Sequence, residues 1–333
     1  MAYINTQVVE MDQVTISNHV KELGIENIRN EIIDGLNKAN KTISSKFFYD
    51  DRGSKLFEKI TNLPEYYPTR TEKGILKKIA PNLMKDSKNI SIVELGSGDH
   101  SKINILLSAI KSENLNTINY VPIDVSHSAI KNASDKLIEL YPGIQINGLI
   151  ADFIHQLDLI PAKNKRMFCF LGSTLGNFGE NIANEFLSNL SSNMNPEDTF
   201  LLGLDLVKPI QILHNAYNDN QGVTAEFNKN ILNIINEIIK SNLNPDDFEH
   251  EAFFIDSKSR IEMHLKANKD ILVSSPYMQS SIEIKKGETI HTENSYKFSQ
   301  NRINEIADLT HLKIKEIFTD KNDWFALVLL KKE

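Results

Sequence analysis

A single cysteine, Cys169, leaves this 333-residue chain without a partner for an internal disulfide, so no covalent cross-link can contribute to its stability. Cys169 lies in the apolar run Met167-Phe168-Cys169-Phe170-Leu171, which predicts a buried, structural thiol. Nowhere does an apolar run reach the ~18 residues of a membrane span. The stretch Met1–Gln13 lacks the basic start and apolar core of a secretion signal, so a cytoplasmic protein without a membrane is expected. Basic charge is also short: 37 Lys and Arg against 44 Asp and Glu give a net charge of -7, which argues against a nucleic-acid partner. There is no internal repeat or low-complexity tract. What remains is an ordinary globular composition, 41% hydrophobic, long enough for two domains or for one with a large insertion.

The chain is organised around Ile92-Val93-Glu94-Leu95-Gly96-Ser97-Gly98-Asp99-His100. The short β-branched run from Ile90 to Val93 predicts a central parallel strand covered on both faces. Gly96 and Gly98 permit backbone angles and a close ligand approach that a Cβ would block. Ile103, Leu106, Leu107 and Ile110 then recur at helical spacing, and the resulting helix points its positive end at the turn. This is only loosely like a dinucleotide fingerprint, since no third glycine follows at position 101.

Beyond the turn, strands are expected at Ile118–Val125, Ile144–Phe153, Arg166–Leu171 and Thr199–Val207, alternating with helices at Ser128–Tyr141 and Ile182–Met194. This alternation predicts an α/β fold with a doubly wound parallel sheet. Near the end, Leu312–Phe318 and Phe325–Leu330 are joined by a short, mostly polar segment of six residues, too few for a crossover helix, so they form an antiparallel hairpin. Before it, Thr224–Leu243 reads as an amphipathic helix, and Ala252–Ile255, Arg260–Ala267, Ile271–Ser274 and Ser281–Lys286 read as strands. At the other end, Val14–Asn40 suggests two short amphipathic helices broken near Gly24. Thr71–Met84 is a further helix, and Leu63–Arg70 is a proline-bracketed loop whose tyrosines are either core plugs or functional groups. The expected division is 70–207 with 298–333 as a nucleoside-binding domain, and 1–69 with 208–297 as an α+β substrate domain.

An acid at the end of the strand after the glycine turn can accept two hydrogen bonds from ribose hydroxyls, and Asp124 is placed for that. Asp152, beside Phe153, suits an adenine amine with the ring on apolar surface; either acid could instead cap a helix.

Several stretches together resemble the histidine-specific Nα-methyltransferases of ergothioneine biosynthesis. They are Tyr49-Asp50-Asp51-Arg52-Gly53-Ser54, Leu63-Pro64-Glu65-Tyr66-Tyr67-Pro68-Thr69-Arg70, Glu94 to Gly98, Phe170 to Asn177, Gly203 to Lys208, Ala216 to Asn228 and Arg260 to Leu265. The terminal hairpin likewise resembles the end of class I methyltransferases. The resemblance implies transfer of three methyl groups from S-adenosylmethionine to the α-amino group of L-histidine, giving hercynine. No metal is expected, and a monomer is expected. It assigns cofactor binding to Tyr49, Gly96, Lys102, Asp124, Asp152 and Phe153. It assigns the amino-acid end of the substrate to Tyr66, Asn177 and Tyr217, and the imidazole to Glu293 and Ser295, with Met263 lining the pocket. Tyr49 and Asn177 are the catalytic candidates, Tyr49 or water being the proton's route. One departure is Asn294, where an apolar residue is expected between Glu293 and Ser295. Alternatives are methylation of another aromatic amino acid or small amine, or a noncatalytic sensor of S-adenosylmethionine or histidine.

Overall fold

The computed structural model of the chain describes residues 9–11, 13–20 and 24–332. The reading of Met1–Gln13 as free of a secretion signal rests largely on residues outside these. Strands are β1 (Val9–Met11), β2 (Val14–Asn18), β3 (Lys41–Thr42), β4 (Ile90–Leu95), β5 (Ile118–Asp124), β6 (Gln145–Ile150), β7 (Lys165–Phe170), β8 (Thr199–Asp205), β9 (Phe248–Ile255), β10 (Arg260–Ala267), β11 (Ile271–Val273), β12 (Ile282–Ile284), β13 (Thr289–Tyr296), β14 (Leu312–Thr319) and β15 (Phe325–Lys332). Helices are α1 (Ile25–Asn37), α2 (Asp51–Thr61), α3 (Tyr67–Leu83), α4 (Ser101–Leu107), α5 (His127–Leu140), α6 (Glu180–Asn193), α7 (Ile210–Tyr217), α8 (Val223–Ile239) and α9 (Gln300–Thr310). Two compact units result. The first holds β1, β2, Arg70–Leu206 and the chain from Phe298 onward; the second holds residues 24–69 and Val207–Lys297.

The first unit is built on a nine-stranded sheet of order β1-β2-β6-β5-β4-β7-β8-β15-β14. Neighbours from β2 to β8 are parallel, and β15 runs antiparallel between β8 and β14. Every residue of β4 is buried, as a strand covered on both faces requires. The chain passes from β4 to β5 on one side and later to β7 on the other, so the order reverses at β4, the place at which sheets of this kind bind ligands beyond the carboxyl ends of their strands. The expected terminal hairpin is present, and one side chain shapes its turn: the Asp320 carboxylate accepts hydrogen bonds from the backbone N–H groups of Asn322, Trp324 and Phe325. Cys169 is fully buried in β7, as its apolar neighbours predict.

The N-terminal segment departs from expectation. Val14–Asn18 is a strand, paired in parallel with β6, and only Ile25–Asn37 of the two expected helices forms. Val14, Ile16 and their polar neighbours alternate with a period of two, and Ile16 buries itself against Ile130 and Ile150. Without β2, the backbone groups of β6 on that side would be unpaired. These residues therefore belong to the first unit and not to the group 1–69 assigned to the second.

The second unit carries a four-stranded sheet of order β3-β13-β10-β9; β13 was not among the expected strands. Helix α8 buries Phe227, Ile231, Leu232, Ile235 and Ile239. Its entry explains the unusual stretch Gly222-Val223-Thr224-Ala225-Glu226-Phe227-Asn228. Gly222 takes a left-handed conformation with φ of 72°, and the Asp219 carboxylate accepts the N–H groups of Val223 and Thr224 at 2.9 and 2.8 Å. Burial opposes the charge of Asp219, but hydrogen bonds from Thr224 and Val223 outweigh it and hold the carboxyl below its ordinary value. One turn on, the Asn228 amide is buried and donates to the His264 carbonyl at 3.0 Å, while its oxygen accepts from the Thr292 hydroxyl at 2.7 Å, tying α8 to β10 and β13. No described helix is long and apolar enough to cross a membrane.

The parallel strands β7 and β8 are pinned by a buried ion pair. Asp198 accepts from the Arg166 backbone N–H at 2.7 Å, from its guanidinium at 2.9 and 2.6 Å, and from the Asn195 N–H at 2.7 Å. Breaking one side of such a pair strands a buried charge, so Asp198→Ala is expected to cost about 3–5 kcal/mol of unfolding free energy by urea titration. A loss below about 1 kcal/mol, the range of exposed ion pairs, contradicts this account.

Candidate active site

The carboxyl edge of the first unit's sheet gathers four of the six candidate cofactor residues. After β4 the chain turns through Gly96 and Gly98, with φ of 72° and 35°, conformations costly for side chains other than glycine. The Gly96 N–H donates to the Ile123 carbonyl at 2.8 Å, locking the turn against β5. Asp124, at the end of β5, accepts from Gly98 N–H at 3.3 Å and Ser126 N–H at 2.9 Å. Burial raises the Asp124 pKa, partly offset by these backbone donors. Asp152 lies two residues past β6, where its carboxylate accepts from Ile154 N–H at 2.9 Å. Phe153 next to it stands 3.7 Å from the point where a Cβ on Gly96 would sit, and packs with Phe170, Phe178 and Phe186. Gly96, Asp124, Asp152 and Phe153 are thus brought together around one turn. Asn177 follows β7 in a short 3-10 turn and is half-buried.

Lys102, in the first turn of α4, pairs with the fully buried Glu72 of α3 at 2.7 Å. Glu72 also accepts from the Gly172 N–H at 2.7 Å. Sequence reading missed Glu72, because an acid amid the charged stretch Thr69-Arg70-Thr71-Glu72-Lys73 carries no sign of burial.

In the second unit the four-stranded sheet presents Ile261, Met263, Glu293 and Ser295 on one face. Ser295 pairs with Ile261 and Glu293 with Met263, and directly opposed residues share a face. Tyr217, at the end of α7, donates its hydroxyl proton to Ser295 Oγ at 2.6 Å. The buried Lys297 ammonium donates to the same Oγ at 2.7 Å and to the Tyr217 hydroxyl at 3.2 Å. Tyr217, expected at the amino-acid end of the substrate, is therefore engaged with the residues expected to read the ring. Burial pushes the Glu293 carboxyl up to about 7, against the pull of the Lys297 charge. Tyr66 packs its ring 6.5 Å from Tyr217 and 6.3 Å from Phe57, which in turn lies 5.8 Å from Tyr49. Tyr67 is instead a core residue beneath the Lys208 ammonium, 4.5 Å from the ring centroid. Tyr49 belongs to this unit, whereas the other cofactor candidates belong to the first.

Lys297 also escaped sequence reading, although the spacing of Glu293, Ser295 and Lys297 at every second residue signals one strand face. Asn294 falls on the opposite face, paired with Glu262 and bonded to His291 at 3.1 Å, so its polarity does not alter the Glu293 face. On that opposite face Glu262, His264 and His291 offer three ligand atoms within 4.8 Å of one another, a set that could hold a metal ion. Glu262 is already taken, however, by the Arg260 guanidinium at 2.8 Å and His264 at 3.0 Å.

Glu94, on β4, accepts from the Tyr120 hydroxyl in the sheet interior. Burial raises its carboxyl from 4.5 to about 8 despite that bond and the nearby Lys102 charge. The folded state therefore keeps a proton that the unfolded chain releases between these values. Its contribution to stability is complete below pH 4.5 and is lost as the pH rises to about 8, by up to ~1.4 kcal/mol per pH unit. Glu94→Gln, which cannot titrate, is expected to remove this slope in denaturant titrations between pH 5 and 8. An unchanged slope would show that Glu94 ionises freely.

Comparison with known proteins accords with this geometry. A family model described as histidine-specific methyltransferase, SAM-dependent, matches residues 28–332. A histidine N-alpha-methyltransferase of Mycobacterium tuberculosis is 36% identical over 96% of this chain and 100% of its own length. One from Mycolicibacterium smegmatis is 38% identical over 91% of this chain and 94% of its own. Ergothioneine biosynthesis protein 1 of Schizosaccharomyces pombe is 27% identical over 82% of this chain, which spans 36% of that longer protein. With a family match across both units and relatives alike over nearly full length, the chain belongs to the SAM-dependent, histidine-specific methyltransferases.

Proposed function

We propose that the chain transfers three methyl groups from S-adenosylmethionine to the α-amino group of L-histidine, giving hercynine, a step of ergothioneine biosynthesis. The observation that carries this reading is the pairing of a carboxylate and a hydroxyl, Glu293 and Ser295, on one sheet face of the second unit. Imidazole has two ring nitrogens, and two such groups can hold both.

The residues of the first unit fit the cofactor. Gly96 and Gly98 remove the side chain at two positions of the turn, Phe153 offers an aromatic wall, and Asp124 presents a carboxylate at the strand end where ribose hydroxyls are bound in such sheets. Asp152 would hold the adenine amine, and Lys102, oriented by Glu72, the carboxylate end. S-adenosylmethionine supplies an electrophilic methyl group on a sulfonium. The protein's tasks are to align the amine and to free its lone pair, since an α-amine is protonated below pH ~8. Asn177 and Tyr66 would hold the amino-acid end without adding a charge, and alignment is the larger contribution. The proton released at each round would leave through water, directly or by way of the Tyr49 hydroxyl, which gives up its own proton as it accepts one. Met263 would line the ring pocket. The enzyme is proposed to act as a cytoplasmic monomer on small molecules and not on nucleic acid, in keeping with its acidic balance of charge.

Two measurements test the assignments. Asp124→Ala should weaken S-adenosylmethionine binding by about 1.5–3 kcal/mol for each ribose hydrogen bond removed, read by calorimetry, with the fold intact. Unchanged affinity refutes the ribose role. Glu293→Ala should weaken histidine use by about 1.5–3 kcal/mol, roughly ten- to more than a hundredfold, and relax discrimination against phenylalanine and tryptophan. Cofactor affinity without histidine should barely move. Retention of the original histidine preference, followed by mass spectrometry of the methylated products, would remove Glu293 from the ring-reading role.

A further inference from the structure

The geometry points to Lys297 as a positioning residue that fixes the direction of the Ser295 hydroxyl proton and so selects a neutral imidazole; the inference rests on the histidine reading above. An ammonium has three donors and no acceptor, so any hydroxyl bonded to it must receive a proton from it. Lys297 Nζ lies 2.7 Å from Ser295 Oγ and 3.2 Å from the Tyr217 hydroxyl. Tyr217, accepting from Lys297, turns its own proton onto Ser295 Oγ at 2.6 Å.

A serine hydroxyl has two acceptor positions and one proton. Both acceptor positions of Ser295 are filled by donors, and among the described residues it donates to none. Its proton is therefore offered away from Lys297 and Tyr217. The group that completes this arrangement must bring a lone pair. A neutral imidazole brings one nitrogen lone pair for Ser295 and one N–H for Glu293, two residues back on the same face. An imidazolium, with two N–H donors, leaves the Ser295 proton facing another proton. A plain aromatic ring satisfies neither residue.

The ammonium is well held for this task. Lys297 is 3% exposed, its Nζ is 5.0 Å from the centroid of the Tyr217 ring, and its backbone N–H donates to the Ser259 carbonyl at 2.7 Å. A buried ammonium is costly to keep, and a cation–π contact with a tyrosine that also shares its hydrogen bonds reduces that cost.

The test is a double-mutant cycle on the full chain, using steady-state histidine methylation with saturating S-adenosylmethionine. Ser295→Ala and Lys297→Met should each raise the KM for histidine about ten- to a hundredfold, the size of leaving a buried polar partner unpaired, with a much smaller change in kcat. Because Lys297 acts through Ser295, the double variant should be within about threefold of Ser295→Ala alone, where independent effects would multiply. Lys297→Arg, which keeps a cationic donor, should recover part of the loss. Multiplying losses, or an unchanged KM in Lys297→Met, overturn the role of Lys297 while leaving the histidine reading intact. An unchanged KM in Ser295→Ala overturns both. If Lys297→Met does not fold, as judged by its thermal midpoint and cofactor binding, the cycle is run with Lys297→Gln, and the same outcomes decide.

Discussion

Glu72 is a carboxylate with no exposed surface, and the first unit is arranged so that its charge is answered. Lys102 supplies the counter-charge at 2.7 Å and Gly172 a backbone donor at the same distance. A Cβ on Gly203 would stand 2.3 Å from Glu72 Oε1, so β8 passes this point with a bare backbone. A single buried acid therefore ties α3, the start of α4, the exit of β7 and the middle of β8 into one piece. Of these, α4 follows the glycine turn directly and β7 neighbours β4, the strand that leads into it. The cost of leaving a buried charge unpaired is what makes the arrangement specific.

A second constraint, of the same kind but smaller, governs the other unit. The buried Asn228 amide must satisfy both of its polar ends, and it does so on the backbone of β10 and the hydroxyl of Thr292 on β13. That fixes α8 over the sheet and sets which face of β13 is turned to which side. Strand alternation then delivers Glu293 and Ser295 to one face and Asn294 to the other. Lys297 adds a positive charge where a carboxyl titrating near 7 and two hydroxyls need their proton directions defined.

The two polar clusters differ in how they treat acidity. In the first unit Glu94 is raised by burial with a tyrosine hydroxyl as its partner, and Asp124 by burial against backbone donors. In the second the raised acid, Glu293, is opposed by the Lys297 charge, as Glu94 is by that of Lys102, but Glu94 also has the Tyr120 hydroxyl as a hydrogen-bond partner. An acid balanced near neutrality by a cation is easily driven to its charged form by an N–H donor, a property suited to recognition more than to structure.

Much of this was legible in the residues themselves. The buried strand before Gly96, the alternation of strands and helices, and a connector too short for a crossover are local properties, and they determined a doubly wound sheet with an antiparallel end. The site residues were legible mainly through likeness to a family, since a lone glutamate on a strand carries no mark of its role. Tertiary structure alone decided three things. Val14–Asn18 became a strand because an edge of β6 was there to pair with it, and short amphipathic segments take the period their neighbours impose. Glu72 became a buried anchor because Lys102 and Gly172, distant in sequence, converge on it. Lys297 became the orienting donor of Ser295 because α7 brings Tyr217 to the same atom. In each case a contact between residues far apart in the chain takes part, for Ser295 the one from Tyr217, and local pattern does not encode it.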